Sequence, residues 1–264
     1  MNNTRRLLLN DQLITSDNSL LFWCDGLNGI NGNYWYAYKT SQALDGFYLK
    51  KEGNVATIAN GWEIVYGNGQ SSPRGAIYSE SNPMVGLSGN NMTFIVVASN
   101  MRYFSSRSCG IIEITRKLYD YNKRQAVTKS SSTPFAITIR GYDTTSWSKY
   151  SMCPPEQINT SIVAYTSNGT TGEMYSEWDG VSKKESNHKA FKKDVNYNDI
   201  FLIVGGYEYH PFSNSGNTPG GIRSGNNWED WPGKYHAVLM YDRVLSDSEI
   251  SEITSFLKNR YNLS

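Results

Sequence analysis

The chain has 264 residues, a net charge of +1, and 39% apolar against 19% charged side chains. That balance excludes a disordered chain, shows no electrostatic footprint for nucleic acid, and leaves enough length to bury a core without disulfides or metal. Cys24, Cys109 and Cys153 are odd in number, widely spaced and free of any CxxC pair, so free thiols are expected rather than a disulfide framework or a zinc site.

Residues 1–19 are polar and aperiodic and are expected to form an arm ahead of one domain over residues 20–264. The apolar run Leu7–Leu9 is too short for a signal-peptide core, and no stretch of 18 apolar residues follows, so neither an export signal nor a membrane span is expected. From Ser19 onward the chain is a succession of short β-rich runs between Gly, Asn, Ser and Pro clusters. The clearest are Leu20–Cys24, Trp62–Tyr66, Met92–Ala98, Gly110–Thr115, Phe135–Arg140, Ser161–Thr166, Glu173–Trp178, Ile200–Val204 and Ala237–Tyr241. With no alternating helices and no fixed repeat, this pattern predicts an all-β antiparallel β-sandwich with jelly-roll connections. A single helix is predicted from Ser246 to Asn259. Ser246 and Glu249 form a capping box, Leu245 and Ile250 are spaced as a staple, and Ile250, Ile253, Phe256 and Leu257 make one apolar stripe.

Three segments resemble the concanavalin A-like lectin/glucanase superfamily, with its laminin-G-like jelly rolls. SIVAYTSNGTTGEMYSEWDGV (Ser161–Val181) is similar to a pair of strands closed by a tight Asp179-Gly180 turn. IFLIVGG (Ile200–Gly206) is similar to a following strand that ends in paired glycines, and HAVLMYDRVLSDSEISEITSFLKNRY (His236–Tyr261) to a last strand running into a capped helix. The resemblance implies a concanavalin A-like sandwich and a module that binds carbohydrate. The composition, rich in Gly, Asn and Tyr, further suggests a bacteriophage virion protein made in the host cytoplasm.

Catalysis on this fold calls for carboxylates at period-2 spacing, aimed into one cleft. Glu177-Trp178-Asp179 supplies two, Val181 or Ser182 stands where a third belongs, and Asp179 is explained as a turn residue. The three histidines, His188, His210 and His236, accompany no G-x-S-x-G element, and His236 reads as structural. The chain is therefore expected not to be an enzyme. Calcium is conceivable from the resemblance, but no DxDxDG-like loop supports it, and no cofactor is expected.

The segment Gly205–Lys234 is the most informative. It is long, rich in Gly, Pro and Asn, and dense in aromatics. Tyr207, Tyr209, His210, Asn226, Trp228, Asp230 and Trp231 are its candidate ligand contacts, with rings to stack on sugars and polar groups to bind hydroxyls. The competing reading is that these rings pin the loop to its own domain or to a neighbouring subunit. The expected function is a carbohydrate-binding, adhesive module on a virion surface (tail, collar or head decoration) that contacts host glycan or cell-surface polysaccharide. A structural virion protein joining subunits, as a homo-oligomer or with other virion proteins, is the alternative, and a glycan-active enzyme comes third.

Overall fold

The computed structural model describes residues 14, 16–39, 42–65, 75–102, 109–116, 125–129, 137–141, 147–150, 157–193, 200–206 and 231–264. In chain order its strands begin with β1 (Leu20–Asp25), β2 (Ile30–Asn31), β3 (Tyr34–Lys39), β4 (Gln42–Gly53), β5 (Val55–Ile58) and β6 (Gly61–Ile64). They continue with β7 (Gly75–Ser79), β8 (Met92–Arg102), β9 (Cys109–Arg116), β10 (Gln125–Lys129), β11 (Ile137–Arg140) and β12 (Trp147–Tyr150). The last are β13 (Gln157–Ser167), β14 (Thr171–Trp178), β15 (Val181–Lys189), β16 (Ile200–Val204) and β17 (Gly233–Tyr241), before helix α1 (Asp247–Tyr261).

All ladders among the described residues are antiparallel. The back sheet runs β15-β14-β13-β8-β17, and the far edge of β17 pairs first with β6 and then with β1. Trp23 and Cys24 of β1 carry the hydrogen bonding over to Tyr38 and Ala37 of β3. From there the front sheet runs β3-β4-β7-β16-β9-β10-β11-β12. The fold is the expected β-sandwich with one C-terminal helix.

Side chains alternate across a strand, and β8 shows what that does here. Phe94, Val96 and Ala98 meet Ile112 and Ile114 of β9 and Leu202 and Val204 of β16 in the core between the sheets. Ile95 and Val97 point the other way and pack with Leu239 of β17 and with Ile250, Ile253 and Leu257 of α1. The centre of the back sheet is thus buried on both faces, which is why β8 reads as an apolar run over Phe94–Ala98. Where β6 meets β17 the backbones nearly touch: a Cβ on Gly61, whose φ is +147°, would lie 1.9 Å from the Tyr235 carbonyl oxygen.

The helix begins as the sequence predicts. The Ser246 backbone N–H donates to Glu249 Oε2 at 2.8 Å, and the Glu249 N–H donates back to Ser246 Oγ at 3.4 Å. Leu245 and Ile250 are both buried beside this cap. The far end of α1 is held by a buried charge cluster. Arg260 pairs with Asp25 at 2.5 Å, and Tyr261 donates its hydroxyl to the same carboxylate at 2.7 Å. The Arg260 guanidinium also lies 4.9 Å from the ring centre of Trp23. The end of the segment read as an arm is tied down as well: Ile14 is buried under α1, and Asp17 pairs with Arg243 at 2.6 Å.

The β14–β15 hairpin turns on Asp179 and Gly180, with φ of +50° and +82°, the two-residue turn expected from the sequence. Asp179 Oδ1 also accepts the Asn159 and Thr160 N–H groups, both at 2.8 Å. At the other margin of the sandwich, side chains bridge β12 to β15: the Tyr150 hydroxyl donates to the Lys183 carbonyl at 2.6 Å, and the Lys189 N–H donates to Ser148 Oγ at 3.1 Å.

Two substitutions gauge these fastenings. Ser246→Ala removes one cap bond and should cost about 0.5–2 kcal/mol in urea unfolding. Arg260→Ala strands a buried carboxylate and should cost about 3–5 kcal/mol. Equal losses would contradict the assignment of a weak fastening at one end of α1 and a strong one at the other.

Candidate functional site

The outer face of the front sheet carries an aromatic strip that two of its strands build jointly. In β3, YWYAYK, Trp35 and Ala37 face the core and are fully buried, so period-2 alternation turns Tyr34 and Tyr36 outward. Register then places Tyr48 of β4 directly opposite Tyr36, and Lys50 opposite Tyr34. Lys50 in turn faces Tyr78 of β7, with Glu80 just beyond that strand. Tyr34 and Tyr36 are each 37% exposed, among the largest exposures of any ring described. Their ring centres lie 6.2 Å apart, and each meets Tyr48 edge-on, at 5.2 Å from Tyr34 and 6.0 Å from Tyr36.

A charged hydrogen-bond chain fixes the rim of this cluster. Tyr48 donates its hydroxyl to Glu80 Oε2 at 2.6 Å, and Lys50 Nζ pairs with Glu80 Oε1 at 2.9 Å. The bond to the Glu80 carboxylate, joined by burial and the nearby charge, pushes the Tyr48 hydroxyl up to about 12, so it stays a donor. The same carboxylate raises the Lys50 ammonium, which stays charged. Further along the same face the surface closes over: Tyr78, Phe201, Ile203 and Glu113 are all buried although they point away from the main core. The tyrosines therefore sit on a rigid sheet at the open side of a covered face, where three rings and an ion pair can offer apolar faces and hydrogen bonds together.

This strip was not among the candidates taken from the sequence. Its signal was the Tyr-Trp-Tyr-Ala-Tyr alternation of residues 34–38, a strand pattern with aromatics on both faces. Of the loop candidates, Tyr207, Tyr209, His210, Asn226, Trp228 and Asp230 lie outside the described residues. Trp231 departs from the expectation of a sugar platform. It is 0% exposed within the core between the sheets, its backbone N–H donates to the Gly205 carbonyl at 2.8 Å, and its backbone carbonyl accepts the Tyr235 hydroxyl. An indole so enclosed anchors the end of the loop and has no face left for a ligand.

The other sequence candidates are placed plainly. Glu177 is ion-paired with Lys258 of α1 at 2.5 Å and lies close to the Tyr175 hydroxyl. His236 is buried, with Nδ1 2.8 Å from the Asn60 carbonyl and Nε2 2.7 Å from Ser99 Oγ. Since a carbonyl only accepts, Nδ1 carries a proton, and in the neutral ring that burial favours Nε2 accepts the serine hydroxyl, leaving both nitrogens bonded. Burial holds its pKa below the usual histidine value. Cys24 is a buried free thiol whose pKa burial raises. Among the described residues no group of three His, Cys, Asp or Glu side chains forms a metal site, and no helix is long and apolar enough to cross a membrane.

No protein-family model matches the chain, and no curated protein matches it. Solved structures do. The chain is similar to a Trypanosoma rangeli sialidase in complex with sialic acid, at 14% identity and a TM-score of 0.60, covering 99% of this chain and 38% of that one. It is also similar to the binding domain of botulinum neurotoxin DC in complex with SialylT, at 12% identity and a TM-score of 0.54, covering 91% of this chain and 51% of that one. The same toxin domain in complex with rat synaptotagmin II gives 12% and 0.56, covering 92% and 52%. The chain thus spans little more than a third of the sialidase and about half of the toxin domain. At such identities the likeness shows the fold, a β-sandwich, in keeping with the resemblance read from Ser161–Tyr261. The expectation that the chain is not an enzyme is corrected here. Chains named as sialidases, including a mutant displaying trans-sialidase activity, contain this fold, so the incomplete acid motif at Glu177 does not exclude catalysis.

His236 makes stability depend on pH in a definite direction. Its folded pKa is depressed, so its contribution is complete above the unfolded value of about 6.5 and is lost as pH falls through the folded value. His188, lowered chiefly by burial, adds to the same slope. The melting temperature should fall as pH drops from about 7 to 5, and His236→Gln should melt lower at pH 7 but with a flatter profile. An unchanged slope in that variant would show that the His236 proton is not the cause.

Proposed function

We propose that the chain binds carbohydrate through the tyrosine strip of the front sheet. The observation that carries this reading is the cluster of Tyr34, Tyr36 and Tyr48, two of its rings 37% exposed, held on paired strands beside the Lys50–Glu80 ion pair. A pyranose ring has one face of C–H bonds and an equator of hydroxyls. Tyrosine rings cover the first at low conformational cost, having only two side-chain torsions, and charged rim groups hydrogen-bond the second more strongly than neutral ones.

Support at the level of fold comes from the similar structures that hold sialic acid or SialylT. Whole-protein activities of those longer chains are a separate matter, since this chain spans only part of each. On sequence alone, Tyr207, Tyr209, His210, Asn226, Trp228 and Asp230 are proposed as further contacts. A virion-surface setting, with virion proteins as partners, finds no support among the comparisons and is not part of this proposal.

A glycan array followed by titration calorimetry tests the reading. Tyr34→Ala and Tyr36→Ala should each weaken binding several-fold to about tenfold, as expected for loss of one ring contact worth about 0.5–1.5 kcal/mol. Both should leave the melting temperature within a few degrees of the parent, because the lost rings are at the surface. A parent that binds no glycan, or two variants that bind as the parent does, would overturn it. Capture of a protein receptor that Tyr34→Ala abolishes, with no glycan binding, would instead mark the strip as a protein-docking face.

A further inference from the structure

Resting on the carbohydrate reading, we infer that the tyrosine strip takes two or more consecutive sugars of a single soluble chain, and neither a lone sugar nor the flat face of a crystalline polysaccharide. The argument is the spacing and tilt of the rings. Tyr34 and Tyr36 are outward residues two apart on β3, so their rings follow one another along that strand. Their centres lie 6.2 Å apart. A pyranose and a tyrosine ring are both six-membered, so the C–H face of one sugar covers one ring and leaves the other bare. A second contact therefore needs a second sugar. A glycan chain advances by one ring and one linking oxygen per sugar, which suits that spacing.

The tilt decides which form of the chain can be held. The Tyr34 and Tyr36 planes are 35° apart, and Tyr48 meets them at 88° and 63°. No two of the three rings are coplanar, so a flat array of sugars could lie flush on only one of them. A chain that turns between neighbouring sugars can meet both exposed rings. The arrangement is fixed from below and from the side: Trp35, between the two tyrosines, is buried in the core, and Tyr48 is tied through its hydroxyl to Glu80 at 2.6 Å. Beyond Tyr34 the strip is open. Asn31, Gly32 and Asn33 of the β2–β3 turn are exposed, and a Cβ on Gly32 would meet nothing within 4 Å. A longer chain can run out over this turn without a wall to stop it.

The probes are mono- to hexasaccharides of β-linked glucose, mannose and N-acetylglucosamine, titrated into the full chain, with crystalline cellulose and chitin in a sedimentation assay. In at least one series affinity should rise several-fold to about tenfold from one sugar to two or three, the worth of one further ring contact, and then level off. Tyr34→Ala should remove that rise, and Tyr34→Phe, which keeps the ring, should retain it. Thermal melts confirm that both variants are folded. Neither crystalline probe should carry the chain into the pellet. A monosaccharide that binds as tightly as its oligomers, a rise with length that persists in Tyr34→Ala, or retention on either crystal would overturn the inference while leaving a glycan-binding chain. Absence of binding to every probe would overturn the carbohydrate reading itself.

Discussion

Strands β8 and β17 present hydrocarbon to both sides: Phe94, Val96, Val238 and Met240 toward the front sheet, Ile95, Val97, Ala237 and Leu239 away from it. Apolar area returns roughly 25 cal/mol per Å² only when both faces leave water, so such strands need a cover on each. The front sheet is one cover and α1 is the other. The capping box at Ser246, the Asp25–Arg260–Tyr261 cluster and the Asp17–Arg243 pair all pin α1 and its neighbours to that second face. The front sheet is the less constrained layer. Part of its outer face packs as well, over Tyr78, Phe201 and Ile203, but along β3 and β4 it is open, and that is where the tyrosines stand.

The strands buried on both sides were legible because hydrocarbon on two faces leaves a nearly unbroken apolar run, as at Met92–Ala98, Ile200–Val204 and Ala237–Tyr241. The helix was legible for a different reason: its cap chemistry is local, and Ser246, Glu249 and the Ile250 stripe need no distant partner to be recognised. Strand β15, VSKKESNHK, was missed because one edge and most of its side chains meet solvent, leaving no apolar pattern. Only the Asp179-Gly180 turn before it hinted that the chain doubles back. The Tyr34–Lys39 strand was missed because aromatics on both faces hide the alternation between core and surface.

That last gap also displaced the candidate site. Aromatic density pointed to the segment before β17, but composition cannot tell a ring that faces out from one that fills a core. Trp231 fills the core, while Tyr34 and Tyr36, in the equally aromatic run of residues 34–38, face out. What separates them is pairing. Tyr48 and Lys50 come beside Tyr36 and Tyr34 only through the β3–β4 register, and Glu80 joins them only through β7. A charged rim assembled from three strands has no signature in any one of them.

Strand β15 has a bearing on how copies of this chain behave at close quarters. Its outward residues Lys183 and Lys184 are charged, and the Lys183 carbonyl is already taken by the Tyr150 hydroxyl. A sheet margin of this kind is a poor template for another strand, because an incoming backbone would have to displace that bond and pass charged groups already paired with Glu185, Glu173 and Asp247. Copies crowded on one surface are thereby discouraged from joining edge to edge, and each would keep the tyrosine strip proposed as its glycan site separate from its neighbours'. Affinity gained by such a cluster would come from multivalency and its effective concentration, with no new contact between the copies themselves.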